Sequence, residues 1–170
     1  MFVLRHCGGA FMYIDEIVGT EKIDDLEEQI EVVIDVYDEI ARFVESEDYE
    51  TLNESQKFVY IVNEFFMELN NGGFSQYFFN EAGDHAIDNL EALEELGFFK
   101  EVVLLEKALT VFENGYIHDR FARQDYLMGE SETEIETKLG ELDKEFYEGG
   151  TEVDSMIYEY IYSNKDELEG

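Results

Sequence analysis

The sequence predicts an all-α fold, a compact single-domain bundle of about seven or eight helices. Three observations lead there. Apolar residues recur at alternating spacings of three and four, the period of a buried helix face. Glycine, Asn and Ser/Thr punctuate these stretches at the intervals expected of helix ends, while proline is absent from all 170 residues. No segment sustains the apolar–polar alternation of a strand, with residues 2–4 the only candidate.

The first helix is predicted over 21–46. Its Ile23, Leu26, Ile30, Val33, Tyr37, Ile40 and Val44 are spaced 3, 4, 3, 4, 3 and 4, and Thr20 is placed to cap it. Asn53 and Gln56 resemble a capping box for a second helix over 54–70, where Phe58, Ile61, Val62, Phe65, Phe66 and Leu69 form a wide apolar face. Asn71-Gly72-Gly73 ends it with residues that tolerate positive φ, and a short aromatic helix follows at 74–80. Further helical patterns cover 84–96, 99–113, 118–128, 132–147 and 152–167, separated by Gly97, Gly115, Gly129 and the pair Gly149-Gly150. Ser131 with Glu134 is a second capping-box match, and Thr151 with Asp154 a weaker one. No Pro-rich, Ser-rich or repeated segment divides the chain. Residues 21–170 therefore read as one acidic helical domain, preceded by an N-terminal extension over 1–20.

A hydrophobic content of 45% and an aromatic content of 15% place the chain with folded proteins. Against that stands the charge: 43 acidic and 11 basic residues, a formal net of −32. Self-repulsion on this scale opposes the compact state, so the acidity needs a reason. Direct binding of nucleic acid is excluded, because phosphate contacts require Lys and Arg. The aromatic content argues against adaptation to high salt. A surface that offers negative charge to a basic partner remains, beside a merely soluble acidic protein. The single cysteine, Cys7, precludes an internal disulfide and suits a reducing compartment. The apolar stretch within 1–18 is too short and interrupted for a signal peptide or a membrane span, so a cytoplasmic location is expected.

Catalytic and metal-binding patterns are scarce. None of His6, His85 and His118 has a Glu three residues before it, and Cys-x-x-Cys, His-Glu-x-x-His and phosphate-binding glycine loops are missing. His118-Asp119 could belong to a metal-dependent hydrolase, but reads first as a helix cap, and His6-Cys7 lacks a supporting scaffold. No cofactor, no metal and no catalytic residue is expected.

The one segment of unusual specificity is 70–83, which opens Asn-Asn-Gly-Gly-Phe. No charged residue occurs from 69 to 80. Residues 51–83 carry four acids and one base, a net of −3, whereas 21–50 carry thirteen acids and two bases, a net of −11. Charge is excluded from the motif and concentrated beside it. Gly72 and Gly73 permit a tight reversal, Phe74, Tyr77 and Phe78 are predicted to plug the core, and Asn71, Gln76 and Asn80 to satisfy backbone groups at the turn.

With Leu52, Gln56 and Glu64 before it, the run Asn71-Gly72-Gly73-Phe74-x-Gln76-Tyr77-Phe78-x-Asn80-x-x-Gly83 resembles the signature of a bacterial DNA-mimic protein family, over about 25 to 150. The resemblance implies a helical fold whose surface carboxylates imitate DNA phosphates. It also implies a homodimer that occupies the DNA-binding face of a helix-turn-helix transcription factor.

The charge layout can be compared with duplex DNA directly. Between Asp24 and Glu39 lie eight carboxylates, about one per 3 Å of helix axis, against about one per 1.7 Å in duplex DNA. Asp24, Glu28, Glu31, Asp35 and Asp38, spaced 4, 3, 4 and 3, form one stripe opposite much of the apolar seam. Glu91, Glu94, Glu95, Glu132, Glu134 and Glu136 are candidates for a second strip. The expectation is a DNA mimic that binds the DNA-binding surface of a basic DNA-binding protein and blocks DNA competitively. The alternatives are an immunity-type or regulatory binder of another basic protein, and a small hydrolase built on the polar turn.

Overall fold

The structure, a computed structural model, describes residues 13–149 and 152–169; the strand candidate at 2–4, His6, Cys7 and Thr151 lie outside them. The described residues form nine helices, seven of them of seven or more residues, and no strand. They are α1 (Ile14–Val18), α2 (Leu26–Ser46), α3 (Glu54–Phe79), α4 (Asp88–Glu95), α5 (Phe99–Leu109), α6 (Arg120–Leu127), α7 (Glu132–Tyr147), α8 (Val153–Ser163) and α9 (Lys165–Leu168). Short 3-10 turns occupy Tyr49–Thr51 and Glu81–His85. Helix α3 runs through the middle. One group of helices, α1, α2, α8 and α9, packs together on one side of it, and α4 to α7 form the other.

The capping box at Asn53 forms: Gln56 N–H donates to Asn53 Oδ1 at 2.9 Å and Asn53 N–H to Gln56 Oε1 at 3.0 Å. Val59, Ile61, Val62, Phe65, Phe66 and Leu69 follow as the buried face. At Gly72 and Gly73 the helix breaks, and Gly73 has φ 71° and ψ −167°. The chain then resumes a helix at once, so α3 has two arms.

Three carboxylates and one guanidinium hold this break. The Phe74 N–H, which opens the second arm and has no helical partner, donates to Asp143 Oδ1 of α7 at 2.8 Å. Glu68, on the first arm, accepts from Gln76 Nε2 at 2.7 Å and from Asn80 Nδ2 at 2.9 Å on the second. Beyond the second arm sits Arg123 of α6, 0% exposed. Its guanidinium donates to the carbonyls of Phe78, Asn80, Ile117 and His118 and to Asp84 Oδ1 at 2.6 Å. All five N–H groups of the side chain are thereby used. Phe74, Tyr77 and Phe78 are fully buried, with Phe65 edge-on to Tyr77 at 5.0 Å and Phe78 edge-on to Phe112 at 5.2 Å.

Several sequence expectations require correction. Helix α2 starts at Leu26, capped by Asp25 rather than Thr20: Asp25 Oδ1 accepts from the Glu27 and Glu28 amides, and Ile23 N–H leaves the helical path to reach Tyr158 Oη at 2.7 Å. The buried seam of α2 is Gln29, Val32, Val33, Val36 and Ile40, rotated from the expected one. Helix α2 contains two overlapping three–four registers, and the one used places Gln29 where its amide reaches Ile23 O at 2.8 Å and Ser155 Oγ at 2.6 Å. Residues 14–18, assigned to an extension, form α1 with Ile14 and Val18 in the core. Residues 81–85 are a 3-10 turn because Asp84 is drawn to Arg120 and Arg123, so α4 starts later than expected. Ser131 makes no side-chain cap, because its φ −96° and ψ 9° lie outside the extended region of a capping residue, and Glu134 pairs with Lys138 at 2.8 Å. Asn71 is exposed, and Gln76 and Asn80 spend their amides on Glu68 instead of the turn backbone.

Tyr37 of α2 donates to Glu64 of α3 and stacks on Tyr60 at 5.9 Å. Burial pushes the Glu64 carboxyl above the usual carboxylate range; Glu68 and Glu81 push the same way, while the Tyr37 hydrogen bond opposes them.

Two outcomes are expected. Gly73→Val should lower stability by more than about 1 kcal/mol in chemical denaturation, since φ is positive and a Cβ would lie 2.4 Å from the Asp143 carboxylate. An unchanged midpoint would contradict that geometry. Glu64→Gln keeps the acceptor for Tyr37 and removes a desolvated charge. Because a raised folded pKa penalises only the ionised carboxylate, the variant should be more stable at neutral pH. The gain should fade as pH falls through the Glu64 titration range. Denaturation midpoints measured across pH check this, and a gain independent of pH would refute it.

Candidate functional site

The outward side of α2 is a densely charged surface that the fold leaves largely unpaired. Asp24, Glu27, Glu28, Glu31, Asp35 and Asp38 are all exposed, and none has an ion-pair partner among the described residues. Of the eight carboxylates between 24 and 39, Asp25 is spent on the helix cap and Glu39 on Arg42 at 2.5 Å. Glu28, Glu31, Asp35 and Asp38 form the expected stripe on the helix, with Asp24 just ahead of its first turn. From Glu27 to Asp38 the axis rises about 16 Å, giving roughly one free carboxylate per 3–4 Å. One strand of B-DNA presents a phosphate about every 3.4 Å of axis. Arg42, on the same face, closes the ridge.

Most of the described cations are engaged away from the ridge. Lys22 pairs with Glu159, Lys57 with Glu50, Lys107 with Glu145 and Lys138 with Glu134. Arg120 and Arg123 converge on Asp84. Burial alone would raise the Asp84 carboxyl, but hydrogen bonds from Arg120 and Arg123 outweigh it and lower its pKa. Lys100 donates to the Glu145 and Phe146 carbonyls at the end of α7, and Lys165 donates to Gly19 O at 2.9 Å.

The second group of carboxylates does not assemble into one strip. Glu91, Glu94 and Glu95 are exposed on α4, where Glu91 and Glu95 line a groove with Glu54, Glu167, Phe58 and Tyr160. Glu132 and Glu136 line a separate recess with Phe79 and Met128, while Glu134 is paired. The glycine–aromatic motif lies inside the bundle, where its aromatic side chains are core.

His85 and His118, the histidines among the described residues, form no constellation. His85 stacks on Tyr49 at 4.2 Å, and burial lowers its pKa. Asp119 caps α6 by accepting from Ala122 N–H at 2.9 Å, and His118 contributes its carbonyl to Arg123. Among the described residues, no group of three or more His, Cys, Asp or Glu is placed to hold a metal ion, and no helix is long and apolar enough to cross a membrane.

Arg123, Asp143, Glu68 and Asp84 were not singled out from the sequence. The available signal was the uncharged motif itself: residues 69–80 carry no charge, so the ionic partners of the break come from outside that stretch, Glu68 just before it and Asp84, Arg123 and Asp143 beyond it.

Comparison with known proteins adds a family. The model of the DMP19-like protein family matches residues 50–164, more than half of the chain. The match starts later and ends later than the expected resemblance over 25–150, and it leaves α2 outside. No curated protein and no solved structure matches the chain.

Uncompensated charge at this density makes stability depend on screening. Between low and moderate NaCl the melting temperature, followed by circular dichroism, should rise, because the Debye length falls to about 10 Å at 0.1 M, shorter than the ridge. A melting temperature that falls over that range would contradict it.

Proposed function

The chain belongs to the DMP19-like protein family, and on that premise we propose that it acts as a double-stranded-DNA mimic. Its α2 ridge docks on the positive DNA-binding surface of a helix-turn-helix transcription factor, and DNA is excluded competitively. The observation that carries this reading is the row of free carboxylates on α2 at the linear density of one phosphate strand. Asp24, Glu28, Glu31, Asp35 and Asp38 are the first contacts. Glu91, Glu94 and Glu95 on α4, and Glu132, Glu134 and Glu136 on α7, are further ones. In a homodimer two ridges would approach the charge density of both strands. The reading uses no catalytic residue, metal or cofactor. Binding requires only that an array of Lys and Arg exchange phosphate oxygens for carboxylate oxygens.

The test is a competition titration between the protein and a labelled operator duplex for a helix-turn-helix factor from the same cell. The two should exclude one another. The protein complex should weaken with salt less steeply than the DNA complex, because carboxylates on a protein hold no condensed counterions to release. Replacing Glu28, Glu31 and Asp35 together with Lys should abolish binding while the helical circular dichroism persists. Each single neutralisation should cost about 1 kcal/mol or less. If the factor carries protein and DNA together without mutual weakening, the mimic reading is wrong, and a regulatory binder of another basic protein takes its place.

A further inference from the structure

We infer that the groove beside the α2 ridge seats an apolar side chain from a basic amphipathic segment of the partner. The inference rests on the DNA-mimic reading and specifies the surface its partner presents.

Helix α2 exposes Leu26 (53%) and Ile34 (52%), with half-buried Ile30 between them. Four-residue spacing sets the three in one row alongside the free carboxylates. Leu26 and Ile30 form one wall of a groove of about 430 Å³, and Phe146 and Tyr147 of α7 and Val153 of α8 form the opposite side. Tyr147 is 55% exposed, yet its hydroxyl is fixed by donation to Leu69 O at 2.5 Å. Glu152 and Asp154 bring further negative charge to the groove. The site is therefore an apolar trough flanked by carboxylates, continuous with the proposed docking ridge.

Its charge selects the occupant. A second copy seated in this groove would set its own acidic surface against Glu152, Asp154 and the ridge, so a homodimer contact belongs elsewhere, and nucleic acid or an anionic membrane would be repelled in the same way. A segment with Lys or Arg on one face and a large aliphatic or aromatic residue on the next satisfies both halves at once. The arrangement also answers a difficulty of mimicry. Exposed ion pairs are individually weak, and carboxylates lack the counterion release that favours DNA. An apolar anchor adds a contribution that salt does not screen. Duplex DNA has no counterpart to this trough beside its phosphates, so the anchor would favour the mimic over DNA.

The experiment uses two labelled helical peptides of equal net charge. One carries Lys on one face and Leu on the other, and the second has Gln in place of Leu. Anisotropy titrations against the full chain, at low and high NaCl, should show the Leu peptide about tenfold tighter, with that ratio kept at high salt. The double variant Leu26→Ser/Ile30→Ser alters the two α2 side chains that line the groove, neither of them in the buried core. It should reduce the ratio to near unity, with the Gln peptide's affinity and salt slope unchanged. Equal binding of the two peptides to the native protein, failure of both to bind, or an equal loss of both in the variant would overturn the inference. So would self-association in sedimentation that the double variant abolishes, because the groove would then belong to a second copy. Glu28, Glu31 and Asp35 replaced together with Lys separate the two readings. Loss of both peptides with that variant supports the ridge and groove acting together. Retention of both, with the Leu preference intact, supports the groove while removing the DNA-mimic reading.

Discussion

Arg123 places a full positive charge in the interior, and the rest of the bundle is arranged so that this charge is satisfied. Its guanidinium ties the carbonyls at the end of the second α3 arm, those of the segment before α6, and Asp84. Three chain segments that no continuous helix could join are thus held by one side chain. Breaking such a buried pair by removing one partner typically costs roughly 3–5 kcal/mol, because the other charge is left unpaired. Gly83 reflects the same constraint: a Cβ there would lie 2.7 Å from Tyr77 O and 3.1 Å from Arg123 Nη2. The glycine that ends the motif therefore belongs to the arginine's site as much as to the turn.

The net charge of −32 makes this economy of cations consequential. With few basic residues available, the fold uses most of the described ones at junctions between elements, while Arg42 and Lys138 pair within their own helices. Arg120 and Arg123 hold the 3-10 turn, Lys100 the end of α7, and Lys165 the contact between α9 and the segment after α1. Apart from Arg42 near its end, α2 itself carries no basic residue to neutralise its acids. The ridge is not merely acidic in composition; it is the surface from which compensating charge has been withdrawn.

The all-helical fold and the breaks marked by glycine were legible in the sequence because glycine positions and apolar spacing are local signals; the break at Asn164, which divides the helix expected over 152–167 into α8 and α9, carries no such mark. The Asn53 capping box formed as read. The face of α2 was not legible: Leu26 and Val33 fit one three–four register, and Gln29, Val33 and Val36 fit another. A non-local amide contact, Gln29 to Ser155, accompanies the register that is buried. Thr20 failed as a cap for a similar reason, since Tyr158 takes the Ile23 amide out of the helical path. On the candidate site, exposure of the α2 acids followed from their spacing. The pairing of Glu134 with Lys138, and the separation of Glu91 and Glu95 from Glu132 and Glu136, depend on packing that no single-helix pattern encodes.

Scaffold and ridge are separable in kind. The family match covers the uncharged motif and its surrounding helices but starts after α2. Burial couples the motif residues: Gly73 must fit Asp143, Gln76 and Asn80 must reach Glu68, and Gly83 must leave room for Arg123. A change at any of them disturbs its partners. The ridge residues make no such contacts: they are exposed and hold no ion pair within the described fold. Helix α2 is nevertheless anchored on its other side, by Tyr37 to Glu64 and by Gln29 to Ser155. Those two links join the acidic surface to the core of the bundle and fix the orientation of its charges.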